Sequence, residues 1–192
     1  MNKRDFLAAG ALAPAALPAL AQGVAGPRHS PVLLTVTGAI GKTNRGPLDP
    51  MLDQMMAKQK IAFDKAHGFD YPALAALPAV TIRPTLEYDG KVHTLRGPLL
   101  ATVLKAVRAS SESGTLAMRA VDGYSPTISV ADARKYRFIV ATTLDGKPMP
   151  LGGLGPLWAV YEPDRFPEMA GKPLDQRFAT CPWAVYHIDV QT

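Results

Sequence analysis

Residues that could bind a metal or carry redox chemistry are few in this 192-residue chain. Cys181 is the only cysteine, so no intramolecular disulfide can form. The four histidines are His29, His67, His93 and His187, scattered without a CxxC or HExxH spacing. Zinc sites take closely spaced cysteine and histidine ligands. The sequence therefore argues against a protein-ligated zinc site, and Cys181 is interpreted as a small core or edge residue.

The composition is that of an ordinary folded domain with mild positive charge. Hydrophobic residues make up 47% of the chain, and the formal net charge is +5. A chain of this length can bury one core without metal or disulfide support. The charge suits an anionic small ligand or an acidic partner, but no run of lysine and arginine indicates nucleic acid.

The N-terminus has the three parts of a secretory signal peptide. Lys3 and Arg4 form a basic head, residues 6–21 are uncharged and largely apolar, and a small-x-small site ends at Ala21. We expect residues 1–21 to be removed, residues 22–31 to form a linker, and residues 32–192 to form one periplasmic domain with no transmembrane segment. An uncleaved membrane anchor is the alternative. The Lys-Arg pair also resembles a twin-arginine signal, which leaves the export route open between the general secretory and twin-arginine-like systems.

The elements that must position any site are mostly short strands. The pattern predicts a strand over Val32–Gly38, an amphipathic helix over residues 51–65 and a short proline-bounded helix over residues 71–78. Further strands are predicted over residues 79–88, 92–95, 116–121, 125–130, 138–144, 157–161 and 183–190, and helices over residues 97–108 and 131–136. Many strands with a few short helices indicate an α+β domain with a mixed, mostly β core and short peripheral helices.

Seven short segments, in order, resemble the molybdopterin-binding domain of sulfite-oxidase-type oxidoreductases. They are Phe69-Asp70-Tyr71 with Leu74 and Leu77-Pro78, Gly97-Pro98-Leu99-Leu100 with Val103-Leu104, Asp122-Gly123-Tyr124 with Ile128, Asp132-Ala133, Asp145-Gly146-Lys147-Pro148, Gly155-Pro156-Leu157-Trp158, and Trp183 with Ile188 and Val190. The resemblance covers roughly residues 32–190. It implies the sulfite-oxidase-like fold, a β-rich α+β domain with a pterin cleft.

One departure from that family bears on the chemistry. Its enzymes hold molybdenum through a cysteine placed after the Leu-Pro helix, whereas residues 79–88 of this chain contain none. A thiolate is a soft covalent ligand, and neither threonine nor arginine can replace it. The chain therefore resembles the small exported subgroup without this cysteine, some members of which bind pterins and regulate a membrane-bound cyclic-di-GMP enzyme. Molybdenum is not expected.

The resemblance points to Trp158 as the residue that stacks on the pterin. A pterin is a flat ring system, and a cleft for it needs an aromatic face. Gly155 and Pro156 precede the tryptophan, and their backbone would bring its ring close to the ligand. The alternative is that Trp158 fills the core of its own strand.

Four further residues are candidates for contact with the pterin. Tyr124 offers a second stacking ring, and Asp122 could accept a hydrogen bond from the pterin amino group. The alternatives are a turn aromatic that caps the core and a turn-forming aspartate. Arg83 and Arg96 flank the position of the missing metal ligand and could meet a phosphate, although such arginines are more often surface residues.

Three functions follow from the sequence. The first is an exported pterin-binding protein without redox turnover, which signals to a membrane partner such as a cyclic-di-GMP enzyme or a sensor kinase. The second is a molybdopterin-dependent oxidoreductase with an unusual metal anchor. The third is a structural domain that binds no small molecule.

Overall fold

A computed structural model of the chain describes residues 30–110 and 113–192. The predicted signal peptide, residues 1–21, lies outside the described residues, as does the predicted linker as far as residue 29. Within the described ranges no helix is long and apolar enough to cross a membrane.

The described residues form eleven strands, five short α-helices and two 3₁₀ turns. The strands are β1 (Val32–Gly38), β2 (His67–Asp70), β3 (Ala79–Ile82), β4 (Leu95–Pro98), β5 (Thr115–Ala120), β6 (Thr127–Ser129), β7 (Ile139–Ala141), β8 (Thr143–Leu144), β9 (Lys147–Pro148), β10 (Trp158–Val160) and β11 (Val185–Gln191). The helices are α1 (Gln54–Lys58), α2 (Tyr71–Ala75), α3 (Leu100–Ala106), α4 (Val130–Lys135) and α5 (Pro167–Ala170), and the 3₁₀ turns are Pro163–Arg165 and Leu174–Gln176. This strand-rich mixture agrees with the predicted α+β class.

The largest sheet has five strands in the order β2-β1-β11-β5-β6. The first strand of the described chain, β1, pairs in parallel with the last, β11, so that Thr35 lies opposite His187 and Thr37 opposite Asp189. The other pairings are antiparallel. Arg119 of β5 lies opposite His187, so Thr35, His187 and Arg119 are neighbours across three strands. Residues far apart in sequence therefore become neighbours on one sheet.

The two faces of this sheet differ in chemistry. Burial alternates along β5, where Leu116, Met118 and Ala120 are buried while the residues between them are partly exposed. This period of two sends one set of side chains into the core and the other to the opposite face. The core-facing side also carries Leu34 and Ile188, both 0% exposed, which join the main apolar cluster.

A second, four-stranded sheet has the order β3-β4-β8-β9, and β7 pairs with β10 beside it. The Asp145-Gly146 turn joins β8 to β9, as the sequence predicts for a hairpin. Gly97 in β4 is buried, and a Cβ on it would lie 1.9 Å from the Val140 carbonyl oxygen. Glycine is therefore required where β4 crosses β7.

The amphipathic helix predicted over residues 51–65 is wrong in extent, because only Gln54–Lys58 is helical. The Asp49 carboxylate accepts hydrogen bonds from the backbone N–H groups of Met51 and Leu52, which holds a turn before the helix. Lys60 then adopts a left-handed φ of 59°, a conformation that ends a helix. Met51 and Leu52 are consequently exposed rather than packed on the core.

Candidate functional site

Trp158 lies in the core rather than at an open surface. It sits in β10 opposite Ala141, it is 1% exposed, and its indole Nε1–H donates to the Cys181 carbonyl oxygen at 3.0 Å. The ring contacts Phe178 and Tyr88, with centroid separations of 6.1 and 6.5 Å. Since its faces are covered and its donor is used, the geometry favours the core alternative over pterin stacking by this residue.

Gly155 and Pro156 shape the chain before β10. Their peptide bond is cis. A Cβ on Gly155 would lie 2.3 Å from the Met149 carbonyl oxygen, so the space that glycine leaves is filled by the protein's own backbone. The close approach expected for a ligand at this segment is therefore made by Met149 of the same chain.

Tyr124 is the predicted residue with the most accessible ring. It is 49% exposed, and its hydroxyl donates a hydrogen bond to the Ala179 carbonyl oxygen, which fixes the ring two residues from Cys181. The Asp122 carboxylate accepts from the Tyr124 backbone N–H at 2.9 Å, as in an Asx turn. Asp122 is thus used by the turn that presents Tyr124, while the tyrosine ring remains open on one side.

Arg96 lies in β4 of the second sheet, and Arg83 directly follows the edge strand β3. Both are exposed, and Arg96 faces Thr81 across the β3–β4 pair, two residues before Arg83. In the part of the chain that the structure describes, neither guanidinium makes an ion pair. The register therefore places the two arginines near one another, but no contact joins them to Trp158 or Tyr124.

Cys181 lies close to Trp158, Tyr124 and Tyr88. The side chain is 4% exposed, and burial raises the pKa of the thiol far above its ordinary value, so the thiol stays protonated. Burial and the proximity of Cys181 also raise the pKa of Tyr124. Burial of its hydroxyl end, the Glu87 carboxylate and Cys181 raise the pKa of Tyr88 to about 12. We call Tyr88, Tyr124, Trp158 and Phe178 around Cys181 the aromatic patch.

The residues present do not fit a molybdenum centre held by a thiolate. The one thiol of the chain, Cys181, is 4% exposed, so it does not face an open cleft. Residues 79–88 contribute no cysteine. The described residues also contain no group of three or more histidine, cysteine, aspartate or glutamate side chains that could hold a metal ion.

Sequence reasoning missed Tyr88, the more exposed ring of the aromatic patch. It is 56% exposed and lies against Trp158. Tyr88 is the last residue of segment 79–88. In the sequence, that segment was informative only about whether a metal-binding cysteine is present. The neighbouring Glu87 carboxylate, which raises the pKa of Tyr88, was missed for the same reason.

Comparisons with known proteins support the fold alone. No family model matches the chain, and no curated protein matches it. Among solved structures it is similar to the sulfane dehydrogenase SoxCD from Paracoccus pantotrophus, with a TM-score of 0.54 and 12% sequence identity. The likeness covers 82% of this chain and 37% of that one, so the chain spans little more than a third of its neighbour's length. At this identity the similarity concerns the fold alone, and it supports the predicted fold at a coarse level.

Proposed function

We propose that this protein binds a pterin without redox turnover and communicates the bound state to a membrane partner. The observation that carries the proposal is the position of Cys181: a chain whose fold is similar to that of SoxCD has one thiol, and that thiol is buried in the core. A metal-free pterin needs no thiolate. What it needs is a face to stack on and an acceptor for its amino group.

The exposed part of the aromatic patch supplies the stacking face. Tyr88 and Tyr124 are each about half exposed, and both have a hydroxyl near Cys181. Trp158 supports this surface from below, since its ring contacts Tyr88. The stacking role therefore passes from Trp158 to Tyr88, whose ring contacts it, and to Tyr124, whose hydroxyl lies near the same Cys181.

The Glu87 carboxylate is the acceptor that we assign to the amino edge of the pterin. It lies beside Tyr88 and influences the pKa of both Tyr88 and Cys181. A pterin resembles guanine at its amino-oxo edge, and acidic side chains accept hydrogen bonds from such amino groups. Arg83 and Arg96 would serve only a ligand that carries a phosphate.

The affinity of the full chain for neopterin, measured by calorimetric titration, tests the stacking role. Base-like stacking contributes about 1–3 kcal/mol, so Tyr124→Ala should weaken binding by roughly 5- to 150-fold. Tyr71→Ala is the matched control, because Tyr71 is also an exposed tyrosine but lies in helix α2, outside the aromatic patch. The proposal is refuted if the wild-type protein does not bind neopterin. It is also refuted if a folded Tyr124→Ala variant binds neopterin with unchanged affinity.

Metal analysis separates this function from the oxidoreductase. Protein produced with its own N-terminus, in a host that makes the molybdenum cofactor, should contain far less than one molybdenum per chain. Plasma mass spectrometry measures this ratio. A near-equimolar content would establish the alternative function, and Cys181→Ser would then show whether the lone thiol is the anchor.

Export and signalling are proposed from the N-terminal sequence and from the family resemblance. A mature protein that begins at Gln22 is expected in the periplasm, because Ala19-Leu20-Ala21 satisfies the small-residue rule at a cleavage site. Intact-mass measurement of periplasmic protein decides this, and a mass equal to the full chain would contradict it. A membrane-bound cyclic-di-GMP enzyme or sensor kinase encoded beside the gene would support the proposed partner.

A further inference from the structure

The outward face of the five-stranded sheet is lined with polar side chains, although most of them are buried. Thr35 and Thr37 of β1 are each 2% exposed, and His187 of β11 is 4% exposed. Asp189 continues the β11 face, and Arg119 continues it onto β5. Buried polar side chains are costly unless they are satisfied, so a cluster of them on one face calls for a structural or a binding role.

All of these side chains except Thr35 line a cavity of about 290 Å³, which we call the polar cleft. Ala117, a small residue paired with Asp189, lines the cavity on the sheet side. Gln191 at the end of β11 and the loop residues Lys60, Ile61 and Ala62 line its other sides. The polar groups that line it are Thr37, Lys60, Arg119, His187, Asp189 and Gln191. The volume is at the lower end of small-molecule sites.

The hydrogen bonds inside the polar cleft fix the protonation of His187. The Thr37 hydroxyl donates its single proton to Asp189 Oδ1 at 2.9 Å, and Thr37 Oγ1 also lies 2.9 Å from His187 Nε2. Since the hydroxyl proton is used, the histidine Nε2–H is the donor in the second bond. Burial lowers the pKa of His187 to about 4, so the ring is neutral at pH 7.

Arg119 and Asp189 line the same cavity without forming an ion pair. Among the residues that the structure describes, no salt bridge joins them, and the buried Nε of Arg119 has no hydrogen-bond partner. Asp189 accepts from Thr37 and from Gln191, yet a carboxylate has acceptor positions to spare. The cleft thus holds a cation with an unused donor and an anion with unused acceptor capacity.

The charge balance of the polar cleft favours a ligand that carries a carboxylate. Lys60 and Arg119 are cationic, Asp189 is anionic, and His187 is neutral, so the polar cleft carries one net positive charge. Arg45 reaches Thr35 on the same face of the sheet, and it pairs with Asp53. These two cancel and leave the balance unchanged.

We infer that the polar cleft binds a small carboxylic acid that bears an α-amino or α-hydroxyl group. The ligand carboxylate accepts from the Arg119 guanidinium, whose planar fork matches carboxylate geometry, and from Lys60. The α-substituent donates to Asp189. This site is separate from the aromatic patch, and it is additional to the proposed pterin binding.

Calorimetric titration of the full chain with L-lactate, L-alanine and propionate tests the inference. Lactate or alanine should bind, and the comparison of the two identifies the donor that Asp189 prefers. Propionate, which lacks the α-donor, should bind at least tenfold more weakly. Arg119→Met should reduce the affinity for the preferred acid by more than 20-fold, whereas Arg83→Met, on the other sheet, should leave it unchanged.

A second variant keeps the test decisive if Arg119→Met does not fold, and a neopterin titration distinguishes the polar cleft from the pterin site. Lys60→Met removes the second cation from a loop residue, and it should weaken acid binding even if Arg119→Met does not fold. Neopterin affinity should be unchanged in either variant. Equal affinity for lactate and propionate, no binding of any acid, or unchanged affinity in both folded variants would overturn the inference.

Discussion

The aromatic patch and the polar cleft differ in whether their polar atoms have hydrogen-bond partners within the protein. In the aromatic patch the fold uses its polar groups: the Trp158 indole and the Tyr124 hydroxyl each donate to a backbone carbonyl within residues 179–181. In the polar cleft the Arg119 Nε has no such partner. The first region therefore offers mainly surface to a ligand, and the second offers hydrogen bonds.

This difference teaches that accessible area and unused hydrogen-bond capacity are separate signs of a site. Tyr88 and Tyr124 provide area, which is tolerant of ligand identity because stacking depends little on substituents. Arg119 and Asp189 provide directional contacts, which select a ligand by the positions of its charges. Affinity at the aromatic patch should therefore vary less between related ligands than affinity at the polar cleft.

The largest expected effect concerns the core role of Trp158. Trp158→Ala should lower the free energy of unfolding by about 3–5 kcal/mol, because it removes a 1%-exposed ring and its hydrogen bond. Chemical denaturation measures the change. Tyr88→Ala is the control, since its exposed ring should cost far less. A stable, folded Trp158→Ala protein with weakened neopterin binding would instead restore Trp158 as the stacking residue.

The second effect is the pH dependence of stability that His187 imposes. Its pKa is about 4 in the folded protein, against an ordinary value of 6.5, so the unfolded chain binds a proton that the folded chain refuses between these values. Stability should therefore fall as pH falls from 6.5 to 4, by up to about 3 kcal/mol. Denaturation of wild type and His187→Gln across this range measures the difference.

His93 makes that comparison necessary, because its own shift has the opposite sign. Hydrogen bonds to Asp145 and Asp89 raise the pKa of His93, so its contribution is present in acid and is lost as pH rises. Both proteins in the comparison retain His93, and its contribution cancels. Parallel pH curves for wild type and His187→Gln would show that His187 is not held neutral by burial.

The smallest effect isolates the hydroxyl that joins β1 to β11. Thr37→Val removes the partner of both His187 and Asp189 and should cost about 1–3 kcal/mol. Thr35→Val is the matched control on the same face of the same strand. Its hydroxyl has only a 3.5 Å contact with Arg45, so a smaller loss is expected. Equal losses in thermal or chemical melts would assign the effect to β1 in general rather than to the polar cleft.

Local pattern was sufficient to predict elements but not their neighbours. The strand over Val32–Gly38 was confirmed at both ends, because a β-branched run stops at a glycine with φ of +83°. The helix over residues 51–65 was wrong in extent, because neither the turn that Asp49 holds before the helix nor the left-handed backbone at Lys60 after it can be read from hydrophobic spacing.

Local pattern predicts less about the sites. Strand β10 is buried on both faces, so periodicity could not decide whether Trp158 faces a cleft or the core. The polar cleft joins Thr37, Arg119 and His187, which are separated by about 70 to 150 residues and meet only through strand pairing. No local motif marks such a site. The sequence did indicate the Cys181 core role and the turn at Asp122, because both depend on nearest neighbours.

The parallel pairing of β1 with β11 has a consequence for when the molecule can become folded. The middle strand of the five-stranded sheet consists of residues 185–191, so the β2–β1 pair and the β5–β6 pair cannot be joined into one sheet until these residues have emerged. Contacts of such long sequence separation form slowly. A chain delivered from its N-terminus, by a ribosome or through a membrane pore, therefore cannot complete the five-stranded sheet until residues 185–191 arrive.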